Sequence, residues 1–163
     1  MKSIMKSILG LQMTAMFLTA ALAGPAAAEK EVPFKGSVQA VESYDVQFPT
    51  LFVDTTGTGV ATHLGLFTVT WEFTVNLLNG AGIGSAHFIA ANEDSVFTES
   101  LGQGNPTKED PDVSLIKEMH TITGGTGRFA DATGGFTLER LVNTVTGVTA
   151  GSFSGTIVFH KAK

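Results

Sequence analysis

Apolar and polar side chains alternate at every step through residues 66–78, and this pattern constrains the fold more than any other feature of the chain. The apolar positions are Phe67, Val69, Trp71, Phe73, Val75 and Leu77. Successive side chains of a β-strand point to opposite faces of the sheet, so the pattern predicts an antiparallel strand with one buried face. Residues 152–160 repeat it with Phe153, Ile157 and Phe159. Both segments are therefore predicted to contribute one face to a common core.

Eight such segments are spread along the chain, with turn-forming residues between them. They are residues 34–43, 50–55, 66–78, 83–90, 95–101, 113–122, 135–143 and 152–160. Short connections favour antiparallel neighbours, and closing the sheet removes edges that would otherwise pair with other chains. We therefore predict an all-β fold, a single closed antiparallel barrel of about eight strands. A two-sheet sandwich is the alternative, and residues 102–112 and 144–151 are predicted to be loops.

The N-terminal segment has the layout of a secretory signal peptide. Lys2 and Lys6 precede an apolar run over residues 8–23, and small residues up to Ala28 offer a cleavage site. The run of about 16 residues is short for a membrane span, which needs about 20. Cleavage after Ala28 leaves residues 29–163 as one barrel domain. The predicted location is secreted or periplasmic.

The composition after this cleavage excludes several partners. Eight basic and 15 acidic side chains remain, so a polyanion such as nucleic acid would be repelled. The chain has no cysteine, which excludes disulfides, thiolate metal sites and a lipoprotein anchor. An outer-membrane barrel needs aromatic girdles at both interfaces, and one Trp and one Tyr are too few for them. We therefore expect no nucleic acid partner and no membrane after signal cleavage.

Residues 124–134 read Gly-Gly-Thr-Gly-Arg-Phe-Ala-Asp-Ala-Thr-Gly and form the most specific stretch of the chain. Glycine permits positive φ, so the stretch predicts a tight turn with one short helical turn near residues 127–132. Phe129 is predicted to close one end of the core, and Arg128 to pair with Asp131. Neither the Gly-Lys-Ser/Thr ending of a phosphate loop nor the Gly-x-Gly-x-x-Gly order is present, so no nucleotide cofactor is predicted.

This stretch resembles a segment of the plant dirigent proteins and their relatives in the allene oxide cyclase barrel superfamily. Small secreted bacterial proteins of unassigned role are similar here, and they also share something like Ala-Thr-His-Leu-Gly at residues 61–65. The resemblance implies a barrel whose enclosed pocket shapes a reactive substrate. Dirigent proteins guide radical coupling, and allene oxide cyclases close a ring in an unsaturated fatty-acid epoxide. Their lumen carboxylates and amides lie outside the matching residues, so neither activity is carried over; relatives look trimeric or dimeric, which leaves a homo-oligomer open.

Few residues have a spacing typical of catalysis or metal binding. None of the histidines forms a His-x-His or His-x-x-x-His pair, so neither a metal site nor a cofactor is predicted. Glu118 and His120 share one face of the predicted strand 113–122, and inside a lumen they would form an acid–base pair. The apolar Leu115 and Met119 occupy the opposite face, so the inward parity is ambiguous. We expect Glu118 and His120 to form a pair exposed to solvent, and we expect the lumen to be uncharged.

Two functional classes follow. The prediction is a non-catalytic barrel that is either packed or binds a small apolar ligand, and the alternative is a cyclase- or isomerase-like enzyme acting on an apolar substrate in the lumen. The candidate ligand-binding residues are Val69, Trp71, Phe73, Ile157 and Phe159. No catalytic residue is assigned under the first reading, and Glu118 and His120 are the catalytic candidates under the second.

Overall fold

The computed structural model describes residues 30–160, so the predicted signal peptide lies outside the described residues. Within this range eight strands pair in chain order into a closed antiparallel barrel. They are β1 (Glu31–Gln47), β2 (Thr50–Ala61), β3 (Gly65–Asn76), β4 (Ala81–Ala90), β5 (Ser95–Pro106), β6 (Val113–Gly125), β7 (Thr133–Asn143) and β8 (Val148–Val158). A single 3-10 turn, Gly127–Phe129, lies between β6 and β7. The predicted fold class is confirmed, and the described residues contain no helix long and apolar enough to cross a membrane.

The long first strand closes the barrel. β1 pairs with β2 through its C-terminal part and with β8 through its N-terminal part. Following paired residues once around the barrel leads from Tyr44 back to β1 at Phe34, ten residues earlier. Such a stagger tilts the strands against the barrel axis and sets the width of the interior. Side chains far apart in sequence therefore face one another across the lumen.

Two predicted loops are shorter than expected. The prediction of a loop over residues 102–112 is wrong in its first half, because β5 continues to Pro106 and pairs there with Ser114 of β6. Likewise, β8 begins at Val148, inside the predicted loop 144–151. In a closed barrel every strand has hydrogen-bonding neighbours on both sides. That pairing extends strands into segments whose Gly and Pro content predicts turns.

Phenylalanine rings fill the middle of the lumen. Five strands each supply one ring, and the rings pack edge-on or tilted with centroid separations of 4.8 to 6.4 Å. The five are Phe34, Phe67, Phe88, Phe136 and Phe153, all buried. Gly59 makes room for one of them, since a Cβ there would lie 2.4 Å from the Phe67 ring. These rings form the main apolar core of the barrel.

The glycine-rich segment closes one end of the barrel. Phe129 is completely buried on the 3-10 turn, so the predicted helical turn and the predicted place of Phe129 are confirmed. Gly127 has φ +54°, and a Cβ there would collide with the Asp94 carboxylate, so a side chain does not fit. The predicted pair of Arg128 with Asp131 is wrong. Arg128 Nε lies 3.5 Å from an Asp94 carboxylate oxygen instead, on the connection between β4 and β5.

Neighbouring positions on β3 allow a matched test of this core. We expect Phe67→Ala to lower the free energy of unfolding by about 3–5 kcal/mol, because it removes a buried ring that contacts Phe88 and Phe153. Leu66→Ala, on the exposed face one residue earlier, should change it by no more than about 0.5 kcal/mol. Urea denaturation of both variants measures the difference. Similar losses would show that the inward face of β3 is not the core.

Candidate ligand-binding site

The end of the lumen opposite Phe129 contains a cavity of about 360 Å³. Most of its wall is apolar, contributed by Leu51, Val53, Phe73, Val75, Ile116 and Val142. Its rim includes Val46 and Leu77, which are 62% and 41% exposed, so the cavity reaches solvent. The charged residues that line it are Glu42, Glu118 and Arg140, which we call the ionic cluster. Each of the three is at most 8% exposed, so the cluster forms the deep end of the cavity.

Glycines on β4 and β5 leave the space that forms this cavity. Gly82, Gly102 and Gly104 occupy inward-facing positions of its wall, where other strands carry side chains. A Cβ at Gly102 would lie 3.2 Å from Glu118 Cγ and 3.2 Å from the Phe73 ring. Any larger side chain would extend into the cavity. Gly102 and Gly104, which the sequence presents as turn signals, are therefore part of the cavity wall.

Arg140 holds the ionic cluster together from β7. Its Nε and Nη2 donate to Glu118 Oε1 on β6 at 3.2 and 2.8 Å. Its Nη1 donates to Glu42 Oε1 on β1 at 2.5 Å and to Thr149 Oγ1 on β8 at 3.1 Å. The guanidinium carbon also lies 5.3 Å from the centre of the Trp71 ring. A planar guanidinium suits this role because its five N–H groups point in fixed directions.

A second set of hydrogen bonds surrounds the cluster. The Tyr44 hydroxyl donates to Glu42 Oε2 at 2.7 Å. His120 Nε2 lies 3.4 Å from Glu118 Oε2, and its Nδ1 lies 2.9 Å from Thr98 Oγ1. An ionised carboxylate only accepts, so His120 Nε2 carries the hydrogen of the bond to Glu118. His120 thus links the cluster to the aromatic core, because it contacts Glu118 and its ring stacks on Phe136.

Burial and charge shift the pKa of three of these groups. Burial by itself would raise the pKa of Glu118, but the hydrogen bond from His120 and the charge of Arg140 hold it below its usual value. Burial would lower the pKa of Arg140, and the two carboxylates outweigh that effect and raise it. Burial and then the hydrogen bond to Glu42 raise the pKa of Tyr44 well above its ordinary value. At neutral pH, Glu118 and Arg140 are therefore charged and Tyr44 keeps its proton.

The expected solvated pair and uncharged lumen are both wrong. Glu118 and His120 are 1% and 4% exposed, and they point into the barrel. The reason is the register of the neighbouring strand, in which Leu138 and Phe136 are their inward-facing partners. Paired residues face the same side of a sheet, so β7 decides the parity of β6. Arg140, also on β7, supplies the countercharge that offsets the cost of burying Glu118.

The five candidate ligand-binding residues lie at different levels of the barrel and do not form one site. Phe73 lines the cavity. Trp71 lies beneath Arg140, next to the ionic cluster. Val69 and Ile157 are buried in the core. Phe159 is half-buried at the closed end, with its ring centre 5.7 Å from that of Phe129.

Sequence reasoning missed Glu42, Tyr44 and Arg140. A signal for the two charged residues exists, because Glu42 lies on the same face of its strand as the buried Ala40, and Arg140 lies on the same face as the buried Leu138. A charged residue on the apolar parity of a strand indicates either a wrong register or a buried partner. The sequence does not show which distant charge that partner is.

Three inward-facing polar atoms near the cluster have no hydrogen-bond partner among residues 30–160. They are Thr55 Oγ1, Trp71 Nε1 and Ser100 Oγ. Thr55 pairs with Trp71, and Ser100 pairs with His120, so all three belong to the part of the lumen that holds the cluster. Buried polar atoms are usually hydrogen-bonded. The deep lumen therefore retains hydrogen-bonding capacity that the protein itself does not use.

The described residues contain no group of three or more His, Cys, Asp or Glu side chains placed to hold a metal ion. No family model, curated protein or solved structure matches this chain.

The buried cluster predicts a large effect of removing its cation. We expect Arg140→Met to lower the free energy of unfolding by about 3–5 kcal/mol at neutral pH, because two buried carboxylates lose their countercharge. Lys117→Met is the matched control, since it breaks an exposed pair with Glu139 at 2.8 Å and should cost at most about 1 kcal/mol. Urea denaturation measures both losses.

The sign of the pH dependence follows from Glu118. Its pKa is lower in the folded than in the unfolded protein, so its contribution to stability is present above the ordinary glutamate pKa and is lost as the pH falls through the folded value. The gap between wild type and Arg140→Met should therefore narrow in acid. Equal losses in the Arg140 and Lys117 variants would contradict a buried cluster.

Tyr44 is the chain's one tyrosine, so phenolate absorbance reports on it alone. We expect the folded protein to show no ionisation near pH 10, the ordinary tyrosine pKa, and the denatured protein to titrate there. Because the folded pKa is raised, the stability that Tyr44 contributes is complete below the ordinary pKa and is lost as the pH rises towards the folded value. Circular dichroism on the same samples verifies that the barrel is intact. A midpoint near 10 in the folded protein would contradict the burial of the Tyr44 hydroxyl and its bond to Glu42.

Proposed function

We propose that this protein is an exported barrel that binds a small, largely apolar molecule in the cavity without changing it chemically. The observation that carries the proposal is the cavity itself, with apolar walls and a charged, hydrogen-bonding deep end. Small-molecule sites in proteins have typical volumes of about 300–1,000 Å³ and combine apolar walls with a few polar groups. At about 30 Å³ per water-sized unit, the cavity suits a ligand of about a dozen non-hydrogen atoms.

Export is part of the same proposal. It is supported by the two lysines, the apolar run and the small residues that precede Glu29. The resemblance of residues 124–134 to the allene oxide cyclase barrel superfamily is consistent with a ligand held inside a barrel. Mass spectrometry of the protein recovered from its host checks the leader: a mass for residues 29–163 supports export, and an uncleaved chain contradicts it.

The state of the carboxylates favours binding over catalysis. A general acid or base must exchange a proton with the substrate. Both oxygens of Glu42 accept bonds, from Arg140 and Tyr44, and both oxygens of Glu118 accept bonds, from Arg140 and His120. The pKa of Glu118 lies below its usual value, so it has no proton to give at neutral pH. The cluster is therefore suited to orienting a ligand.

An isomerase- or cyclase-like activity is the second candidate, favoured by one observation. Glu118 lines the cavity and also contacts the buried His120, which is the arrangement of an acid–base pair. His120 does not itself line the cavity and lies behind Glu118. Of the two members of this pair, a substrate in the cavity would therefore contact only the Glu118 carboxylate. Turnover of any cavity ligand that stops in Glu118→Gln while binding remains would favour this candidate over binding alone.

The chain's one tryptophan, Trp71, lies beside the ionic cluster and reports on cavity binding. We expect octanol to change its fluorescence saturably. Gly102→Val should weaken octanol binding at least about tenfold, or about 1.4 kcal/mol, because the new side chain occupies the cavity. Leu101→Val changes the adjacent, outward-facing position and should leave binding unchanged.

Thermal denaturation of both variants establishes that each is folded under the binding conditions. Absence of saturable binding by the wild type, or equal binding by wild type and Gly102→Val, would overturn the proposed function.

A further inference from the structure

The charges of the ionic cluster do not cancel. Among the described residues that line the cavity, two carboxylates, Glu42 and Glu118, face one guanidinium, Arg140. Burial keeps solvent and salt from screening the remaining negative charge, which therefore acts on any group placed at the deep end. The rim residues, including Gln103, Ser114 and Thr144, are uncharged and offer no compensation.

Each ring nitrogen of His120 has a hydrogen-bond partner. In the neutral ring, Nε2–H donates to Glu118 Oε2 and Nδ1 accepts the hydroxyl hydrogen of Thr98. The ring also stacks flat on Phe136, with centroids 4.6 Å apart and planes 9° apart. The charged residues that line the cavity, Glu42, Glu118 and Arg140, leave an excess of one negative charge at its deep end.

The ionic cluster also has more unused hydrogen-bond acceptors than unused donors. Two carboxylates offer about eight lone-pair positions, and Arg140, Tyr44 and His120 occupy five of them. Arg140 has five N–H groups, of which four donate to Glu42, Glu118 and Thr149. About three acceptor positions therefore remain against two unused N–H donors, one on Arg140 and the Trp71 Nε1–H, so a ligand that donates several hydrogen bonds fits best.

We propose that the cavity selects an amphipathic amine, a molecule with one primary ammonium group on a short apolar chain. The chain contacts the apolar wall around Phe73 and Ile116, and the ammonium group donates to the free lone pairs of Glu42, whose two oxygens each accept one bond from the protein. A carboxylate in the same place would meet the excess negative charge and an acceptor-rich surface. This inference rests on the proposed function, because it assigns a chemical class to the ligand of the same cavity.

Three ligands of equal chain length test the proposal at neutral pH: octylamine, octanol and octanoate, each titrated against Trp71 fluorescence in the full chain. We expect octylamine to bind at least about tenfold more tightly than octanol, and octanoate at least about tenfold more weakly, each factor being about 1.4 kcal/mol. If octylamine and octanol bind equally, or octanoate binds best, the inference is overturned while cavity binding stands. If none of the three binds, the proposed function itself fails.

Two isosteric variants locate the source of the preference. Glu42→Gln removes the excess charge at the cavity, so the ratio of octylamine affinity to octanol affinity should fall at least about fivefold. Glu139→Gln removes the same charge from the exposed face of β7 and should leave the ratio unchanged. An equal change of the ratio in both variants would attribute it to the overall charge of the protein and would overturn the inference. The wild-type comparison decides the matter alone if Glu42→Gln does not fold.

Discussion

Closure of the barrel through β1 is the constraint on which the rest of the structure depends. β1 pairs with β2 on one side and with β8 on the other, so the registers of all eight strand pairs must add up to the stagger of ten residues around the barrel. Once the registers are fixed, the parity of each strand is fixed as well, because paired residues share a face. The aromatic core, the ionic cluster and the glycine-lined part of the cavity wall all follow from that one arrangement.

The lumen is divided into layers of different chemistry. Phe129 and the glycine-rich segment close one end, and five phenylalanine rings pack behind them. His120 links this core to the ionic cluster by stacking on Phe136 and bonding to Glu118. The cavity lies beyond the cluster. A rigid apolar core thus supports charged groups that would otherwise be too costly to hold in fixed positions inside a protein.

The sequence predicts most of the fold but only part of the candidate site. The alternation in residues 66–78 identifies the inward face of β3, and the spacing of turn residues gives eight strands. The sequence identifies Glu118 and His120 as a pair on one face of their strand. It does not show which face points into the lumen, because the apolar Leu115 and Met119 lie on the other face. Their inward direction comes from Phe136 and Leu138 of β7, whose contribution depends on a register that the sequence does not state.

What the sequence alone determines about this protein is local: the two-residue period of its strands, the glycines that make its turns and the cap formed around Phe129. What only the tertiary structure decides is which distant residues meet, above all Arg140 and Glu42, which lie 98 positions apart. The cavity also belongs to the second group, because inward-facing glycines leave space only when the strands opposite them enclose it. The physical reason is that side-chain alternation follows from backbone geometry within one strand, whereas partners across a lumen follow from hydrogen-bond register summed around the whole barrel.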